Sequence, residues 1–239
     1  MIRALAVLLG LGGPAAAAET ADLCRQQVHR GRVFTICTAD LTRHRIDLHL
    51  RDGAGRVLGS FAALERAAGP VLMAMNAGMY HEDRRPVGLY REAGREAAPL
   101  VTRAGPGNFG MRPNGVFCIG DDTARVIESR TYAADPPACR AATQSGPMLL
   151  TDGAIHPRFI EDSPYRKVRN AVGVSPDGTS AHFAISEGAV TFHEMATLYR
   201  DELGVRDALY LDGSISRLHS GARSDPGRRM GPIVSVRAR

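Results

Sequence analysis

Apolar and polar residues alternate along Arg45-Ile46-Asp47-Leu48-His49-Leu50, the two-residue period of a half-buried strand. Asp52-Gly53-Ala54-Gly55 reads as a turn that pairs this strand with Arg56-Val57-Leu58. Val33 to Cys37 is rich in β-formers. Phe61 to Ala68 carries a short helical pattern, ended by Gly69-Pro70. Val71 to Met75 is an apolar strand that runs into Asn76-Ala77-Gly78. Further strands are predicted at 115–119, 123–128, 147–150, 170–175 and 181–186, the last two joined by a tight turn at Pro176-Asp177-Gly178.

The clearest helix is 192–203. Thr191 and Glu194 have the spacing of a capping box, and Phe192, Met195, Ala196, Tyr199 and Leu203 fall on one face before Gly204. Ala208-Leu209-Tyr210-Leu211 follows as a buried strand. Two long stretches, 79–113 and 152–168, show no regular period and read as functional loops. No repeat or linker divides the chain. The expected fold class is α/β (mixed α+β): one domain with a mixed central β-sheet, few helices and long active-site loops.

Residues 1–18 read as a secretory signal: Arg3 in front, apolar Ala4 to Leu11, then Ala16-Ala17-Ala18 before Glu19. The domain is then 19–239, and the expected location is secreted or periplasmic. Four cysteines in an exported chain suggest two disulfides, and proximity favours Cys24 with Cys37 and Cys118 with Cys139. No C-x2-C pair supports a metal reading for them. The net charge is +5 on 239 residues, and Lys167 is the single lysine. The arginines are scattered, which gives no case for nucleic acid. No uninterrupted apolar run is long enough for an integral membrane span.

Clusters of polar residues and glycine follow the predicted strands. They are Asn76-Ala77-Gly78-Met79-Tyr80, Arg112-Pro113-Asn114-Gly115-Val116-Phe117, Gln144-Ser145-Gly146-Pro147, Arg169-Asn170-Ala171-Val172-Gly173 and Leu211-Asp212-Gly213-Ser214-Ile215-Ser216. Singly, Asn-Gly and Asp-Gly are ordinary turn dipeptides. Asp212 stands out, because a buried strand delivers it to a Gly-Ser turn. The G-x-S-x-G elbow and the P-loop are absent, and His193-Glu194 lacks the second histidine of a zincin.

Taken in order, these clusters, with Phe183-Ala184-Ile185-Ser186 between the last two, resemble the phosphodiester glycosidase family from about Ile46 to Ser216. The resemblance implies a mixed α/β fold and cleavage of a sugar-1-phosphate diester, N-acetylglucosamine being the family's known sugar. It also implies that Asn76, Asn114, Ser145, Arg169 and Asp212 line the pocket, with Gly78, Gly115, Gly146, Asn170, Gly213, Ser214 and Ser216 beside them. Many members read Asp-Gly-Gly-Gly-Ser-Ser at the last motif and some Asn-Gly-Gly at the first. Here Ile215 and Ala77 narrow those turns.

Residue chemistry suggests roles. An arginine grips phosphate through paired donors, so Arg169 is assigned to the leaving group. Asp212 is then nucleophile, general base or stabiliser of the anomeric centre. Glu187 is the candidate second carboxylate. The amides of Asn76 and Asn114 are assigned to sugar hydroxyls or an acetamide, and Ser145 and Gly146 to phosphate. The partner is a small-molecule or polymeric sugar phosphate. Two other readings stay open: a non-catalytic envelope protein that binds a glycan or a partner, and a metal-assisted phosphodiesterase. In the latter, Asp212, Asp152, Glu82 and Asp83 are candidate oxygen ligands for Ca²⁺ or Mg²⁺.

Overall fold

A computed structural model describes residues 23–212, 215–221 and 223–239. The signal segment 1–18, Gly213 and Ser214 lie outside the described residues. The strand-rich mixed α/β class is found, with the strands divided among three sheets rather than gathered in one. Every strand pairing is antiparallel.

The first sheet has the order β1-β2-β13-β12-β14-β10-β11. It contains β1 (Cys24–His29), β2 (Arg32–Asp40), β10 (Met148–Thr151), β11 (Ala154–Ile155), β12 (Asn170–Val174), β13 (Ser180–Ser186) and β14 (Ala208–Tyr210). The second runs β16-β15-β4-β17-β3, from β3 (His44–His49), β4 (Met73–Asn76), β15 (Leu218–Ser220), β16 (Arg223–Ser224) and β17 (Ile233–Ala238). The third runs β6-β5-β9-β7-β8, from β5 (Tyr90–Glu92), β6 (Arg95–Ala98), β7 (Gly115–Ile119), β8 (Ala124–Glu128) and β9 (Ala141–Ser145).

One apolar cluster lies between the three sheets. It joins Ile46, Leu48, Met73, Met75, Phe117, Val172, Phe183, Leu209 and Val234. Each sheet's outer face has its own cover. Helix α1 (Phe61–Ala68), capped by the Ser60 side chain on the Ala63 N–H, packs Phe61 and Leu64 over the second sheet. The third sheet is covered by Tyr132 of α3 (Ser129–Ala134) and by the Cys118–Cys139 disulfide, α2 being the short turn Gly107–Gly110. Helix α4 (Phe192–Thr197) and a π-turn over Leu198–Glu202 pack Met195, Ala196 and Tyr199 on the first. The capping box of Thr191 and Glu194 is present.

The second disulfide, Cys24–Cys37, links paired residues of β1 and β2. The 79–113 stretch is not wholly loop, since β5 and β6 form a hairpin within it. Residues 56–58 make a single bridge, Arg51 to Val57, rather than a strand. No helix among the described residues is long and apolar enough to cross a membrane.

Candidate active site

The motif clusters meet where the three sheets meet. Asn76 ends β4, Ser145 ends β9, Asn170 opens β12 and Asp212 follows β14, so each sheet supplies at least one residue. Asn76, Asn114, Ser145, Asn170, Arg169 and Asp212 are all buried. A buried polar side chain must be hydrogen-bonded to hold its place, and here the bonds reveal a division of labour.

Three of these groups, with Ser216, position the Asp212 segment. Asn76 Oδ1 accepts the Arg217 N–H at 2.8 Å, and its Nδ2 donates to Asn170 Oδ1 at 3.3 Å. Asn170 Nδ2 donates back to the Asn76 carbonyl at 3.1 Å, while its Oδ1 accepts the Asp212 N–H at 3.4 Å. Ser145 Oγ donates to the Leu211 carbonyl. The Ser216 hydroxyl lies 3.0 Å from the Asp212 carbonyl and 3.2 Å from Asn170 Oδ1. The polar atoms of Asn76 hold the backbone at Arg217 and, through Asn170, at Asp212.

Asp212 itself is 9% exposed. Its negative charge reaches two phenols. Burial pushes Tyr210 and Tyr80 up to about 12, with Asp212 adding to both and Arg169 opposing the rise at Tyr210. The Tyr80 hydroxyl is buried, and the ring packs against the Gly231 backbone. Sequence reasoning quoted Tyr80 in its cluster and gave it no role. Its place four residues after the buried strand β4 is the signal that was available.

Ala171 pairs with Tyr210 across β12 and β14, and the Leu211 N–H donates to the Asn170 carbonyl, so Arg169 and Asp212 both lie just past this end of the two strands, where the Tyr210 phenol feels the charge of each. Arg169 Nε donates to the Val190 carbonyl at 2.9 Å, Nη1 to the Tyr210 hydroxyl at 3.3 Å and Nη2 to the Tyr165 carbonyl at 3.1 Å. A guanidinium has five N–H donors, so one hydrogen on each Nη remains for a ligand. Its carbon lies 3.7 Å from the centre of the Phe192 ring. No carboxylate ion-pairs with it among the described residues. Burial lowers its pKa, an effect that Tyr210 opposes.

Arg169 forms the floor of a cleft of about 420 Å³, lined also by Asn108, Met111, Arg158, Phe159, Tyr165 and Lys167. Pockets of this size suit small ligands. His156, Phe159 and Phe192 stack in series at 4.7 and 4.8 Å, which fixes the 152–168 stretch as one wall. A second hollow, of about 550 Å³, lies across Lys167 and Val168 and includes Ser216, Arg217 and Arg228. Ile215 lines it and packs against the α1 cluster.

The glycines act through space. A Cβ on Gly146 would lie 2.7 Å from the Asn114 Cβ, and one on Gly78 would lie 2.4 Å from the Gln144 carbonyl. On Gly115 it would meet the Met148 sulfur at 2.3 Å. Asn114 Nδ2 donates to the Phe109 carbonyl at 2.8 Å, and its Oδ1 is buried without a partner among the described residues. Gln144 is fully committed. It accepts from Leu89 and Val101 and donates to Val101 and Ser129, tying the 79–113 stretch to β9.

Glu187 is directed elsewhere. Side chains alternate faces along a strand. Ala184 belongs to the α4 face and Ile185 to the interior. Ser186 thus shares the Arg169 face and Glu187 takes the other, where it accepts from Thr35 and from Arg223 Nη1 at 2.6 Å. The structure does not bring it together with Asp212. The four candidate metal ligands are likewise not assembled. Asp152 pairs with Arg206 and Asp83 with Arg85, and no trio of His, Cys, Asp or Glu gathers among the described residues.

Residues 70–223 match the model of the phosphodiester glycosidase family. The chain is 34% identical over 202 residues to the uncharacterized protein YigE of Escherichia coli K12, covering 83% of this chain and 78% of that one. Among solved structures it resembles the catalytic domain of zebrafish N-acetylglucosamine-1-phosphodiester α-N-acetylglucosaminidase, auto-inhibited by its pro-peptide. That likeness has a TM-score of 0.62 at 14% identity and covers 90% of this chain and 82% of that one. A hypothetical protein from Synechocystis has a TM-score of 0.57 at 14% identity over 90% of this chain and 61% of its own. These two likenesses show a shared fold.

Proposed function

The chain belongs to the phosphodiester glycosidase family, and from that premise we propose that it hydrolyses a sugar-1-phosphate diester in the cell envelope. The observation that carries this reading is the convergence of Arg169, on the floor of the cleft, and buried Asp212 on Tyr210 at one end of the first sheet. A cation with two spare donors and a nearby carboxylate match the two ends of the bond to be broken.

In this reading Arg169 takes two phosphate oxygens through its remaining Nη hydrogens. Asp212 faces the anomeric carbon, where positive charge develops as the C–O bond breaks. Water supplies the new oxygen, and its proton leaves to the carboxylate or to solvent. The phosphate monoester departs already ionised, so the step needs charge stabilisation rather than an acid. One carboxylate suffices, in keeping with Glu187 on the opposite face. The buried latch of Asn76, Ser145, Asn170 and Ser216 fixes Asp212 before substrate arrives, which removes a reorganisation cost.

The test is turnover of a panel of sugar-1-phosphate diesters, UDP-N-acetylglucosamine among them, with and without EDTA and with Asp212→Asn beside wild type. Release of free sugar that EDTA leaves intact and the variant loses is the expected result. Release of sugar phosphate would mean P–O cleavage and overturn the assignment. Retention of diester without any product would make the protein a binder.

A further inference from the structure

Five large apolar side chains stand exposed among the described residues: Val28, Val33, Ile160, Tyr165 and Val168. They fall on only two segments. Val28 and Val33 are paired residues of the β1–β2 hairpin, and the other three lie on the 152–168 stretch. The segments touch. Arg30 in the hairpin turn reaches Glu161 at 3.2 Å, and Arg32 and Arg166 share Glu194. Single exposed hydrophobes are ordinary on any surface. Here they collect at one end of the molecule, with Ile160 and Tyr165 on the wall of the Arg169 cleft.

The two segments carry Arg25, Arg30, Arg32, Arg158, Arg166 and Lys167 against Asp40, Asp152, Glu161 and Asp162, an excess of two cations. The side chains of Arg158 and Lys167 have no hydrogen bond or ion pair among the described residues. Ile160 is 68% exposed and Tyr165 is 80% exposed, beside these cations. Exposed Ile160 and Tyr165 beside the unpaired Arg158 and Lys167 suit an anionic bilayer, where the former enter the headgroup region and the latter meet phosphate. A polyanionic polymer would use the cations and leave the apolar groups in water.

We infer that the β1–β2 hairpin tip and the 152–168 stretch form a docking face for an anionic lipid surface, at the rim of the Arg169 cleft. In respect of substrate this rests on the reading above: the diester would be one whose aglycone is a lipid, presented at that surface. The docking itself does not depend on turnover.

The test is co-flotation of the mature protein with vesicles of phosphatidylcholine alone and of phosphatidylcholine containing about one-fifth phosphatidylglycerol. Wild type is expected on the anionic vesicles only, with retention falling as salt screens the surface. Val28→Glu and Ile160→Glu should each weaken retention on the order of tenfold, with melting curves like wild type. Val28→Glu, outside the cleft, should keep wild-type turnover of a soluble diester. Absence of wild-type retention would overturn the inference. So would retention that neither substitution changes, and equal binding to inorganic polyphosphate would then mark a polyanion site. Vesicle binding that follows the variants, with no diester turned over, would keep the docking face and remove the catalytic reading.

Discussion

Arg169 donates to the Tyr210 hydroxyl at 3.3 Å, and that same phenol feels the charge of Asp212, two residues beyond it. Each of the two charged residues lies two positions past Ala171 and Tyr210, the last bridged pair of β12 and β14. Arg169→Met should lower kcat/KM by about 10²–10³, the usual cost of removing a preorganised donor to developing charge. Arg169→Lys keeps the charge and loses the paired geometry, so it should recover only part of that loss. Steady-state kinetics on a diester substrate decides. A wild-type kcat/KM in Arg169→Met would place the phosphate grip on another residue.

The latch makes a different prediction. Asn76→Ala removes the acceptor of the Arg217 N–H and the donor to Asn170, all in a fully buried setting. Leaving buried polar groups unpaired costs about 1–3 kcal/mol. In a domain of this size that lowers Tm by several degrees, at about 2–4 °C per kcal/mol. Because the lost bonds hold the backbone beyond Asp212, kcat should fall more than KM changes. An unchanged Tm together with a raised KM alone would mean that Asn76 meets the sugar directly.

The sequence reading recovered α1, α4, β7, β12 and β13 closely, because each has a clean period and a marked end. It missed β9, whose Ala141-Ala142-Thr143-Gln144-Ser145 has little β-forming bulk and is placed by pairing with β7 and β5. It missed β15 and β17, short or apolar segments with partners more than a hundred residues away, and β16, two residues at the sheet edge held only by β15. The motifs pointed to the right place. Their division into positioning and reacting groups was not legible, since it depends on which buried atom bonds to which. Strand alternation after Ile185 was the sequence-level sign that Glu187 turns from Ser186's face.

Asp47 offers a stability test away from the site. It is buried under three arginines, with Arg140 Nη1 at 2.6 Å, Arg237 Nη2 at 2.9 Å and Arg45 Nε at 3.1 Å. Burial alone would raise its pKa, and the bonds from Arg237 and Arg140 pull it below the ordinary carboxylate value. Asp47→Asn leaves those cations facing a neutral amide, with a cost on the order of 3 kcal/mol. Denaturant unfolding should show a lower midpoint at an unchanged slope. A midpoint equal to wild type would mean that the arginines are already satisfied by solvent and by neighbouring carbonyls.

His49 governs how the protein meets acid. It sits on β3 with Nε2 2.9 Å from Ser235 Oγ, and burial lowers its pKa to about 4, against a smaller opposing pull from Asp47. The unfolded chain has an ordinary histidine near 6.5, so below that pH it binds a proton the folded protein refuses. Its contribution is therefore complete above about pH 6.5 and is lost as pH falls towards about 4, by at most about 3 kcal/mol. Burial lowers the pKa of His182 and of His156 as well, which adds slope of the same sign. His49→Gln retains a donor for Ser235 and removes the titration, so its Tm should fall less steeply than wild type across that window. Parallel Tm-versus-pH curves for the two proteins would show that His49 takes up its proton without loss of the fold.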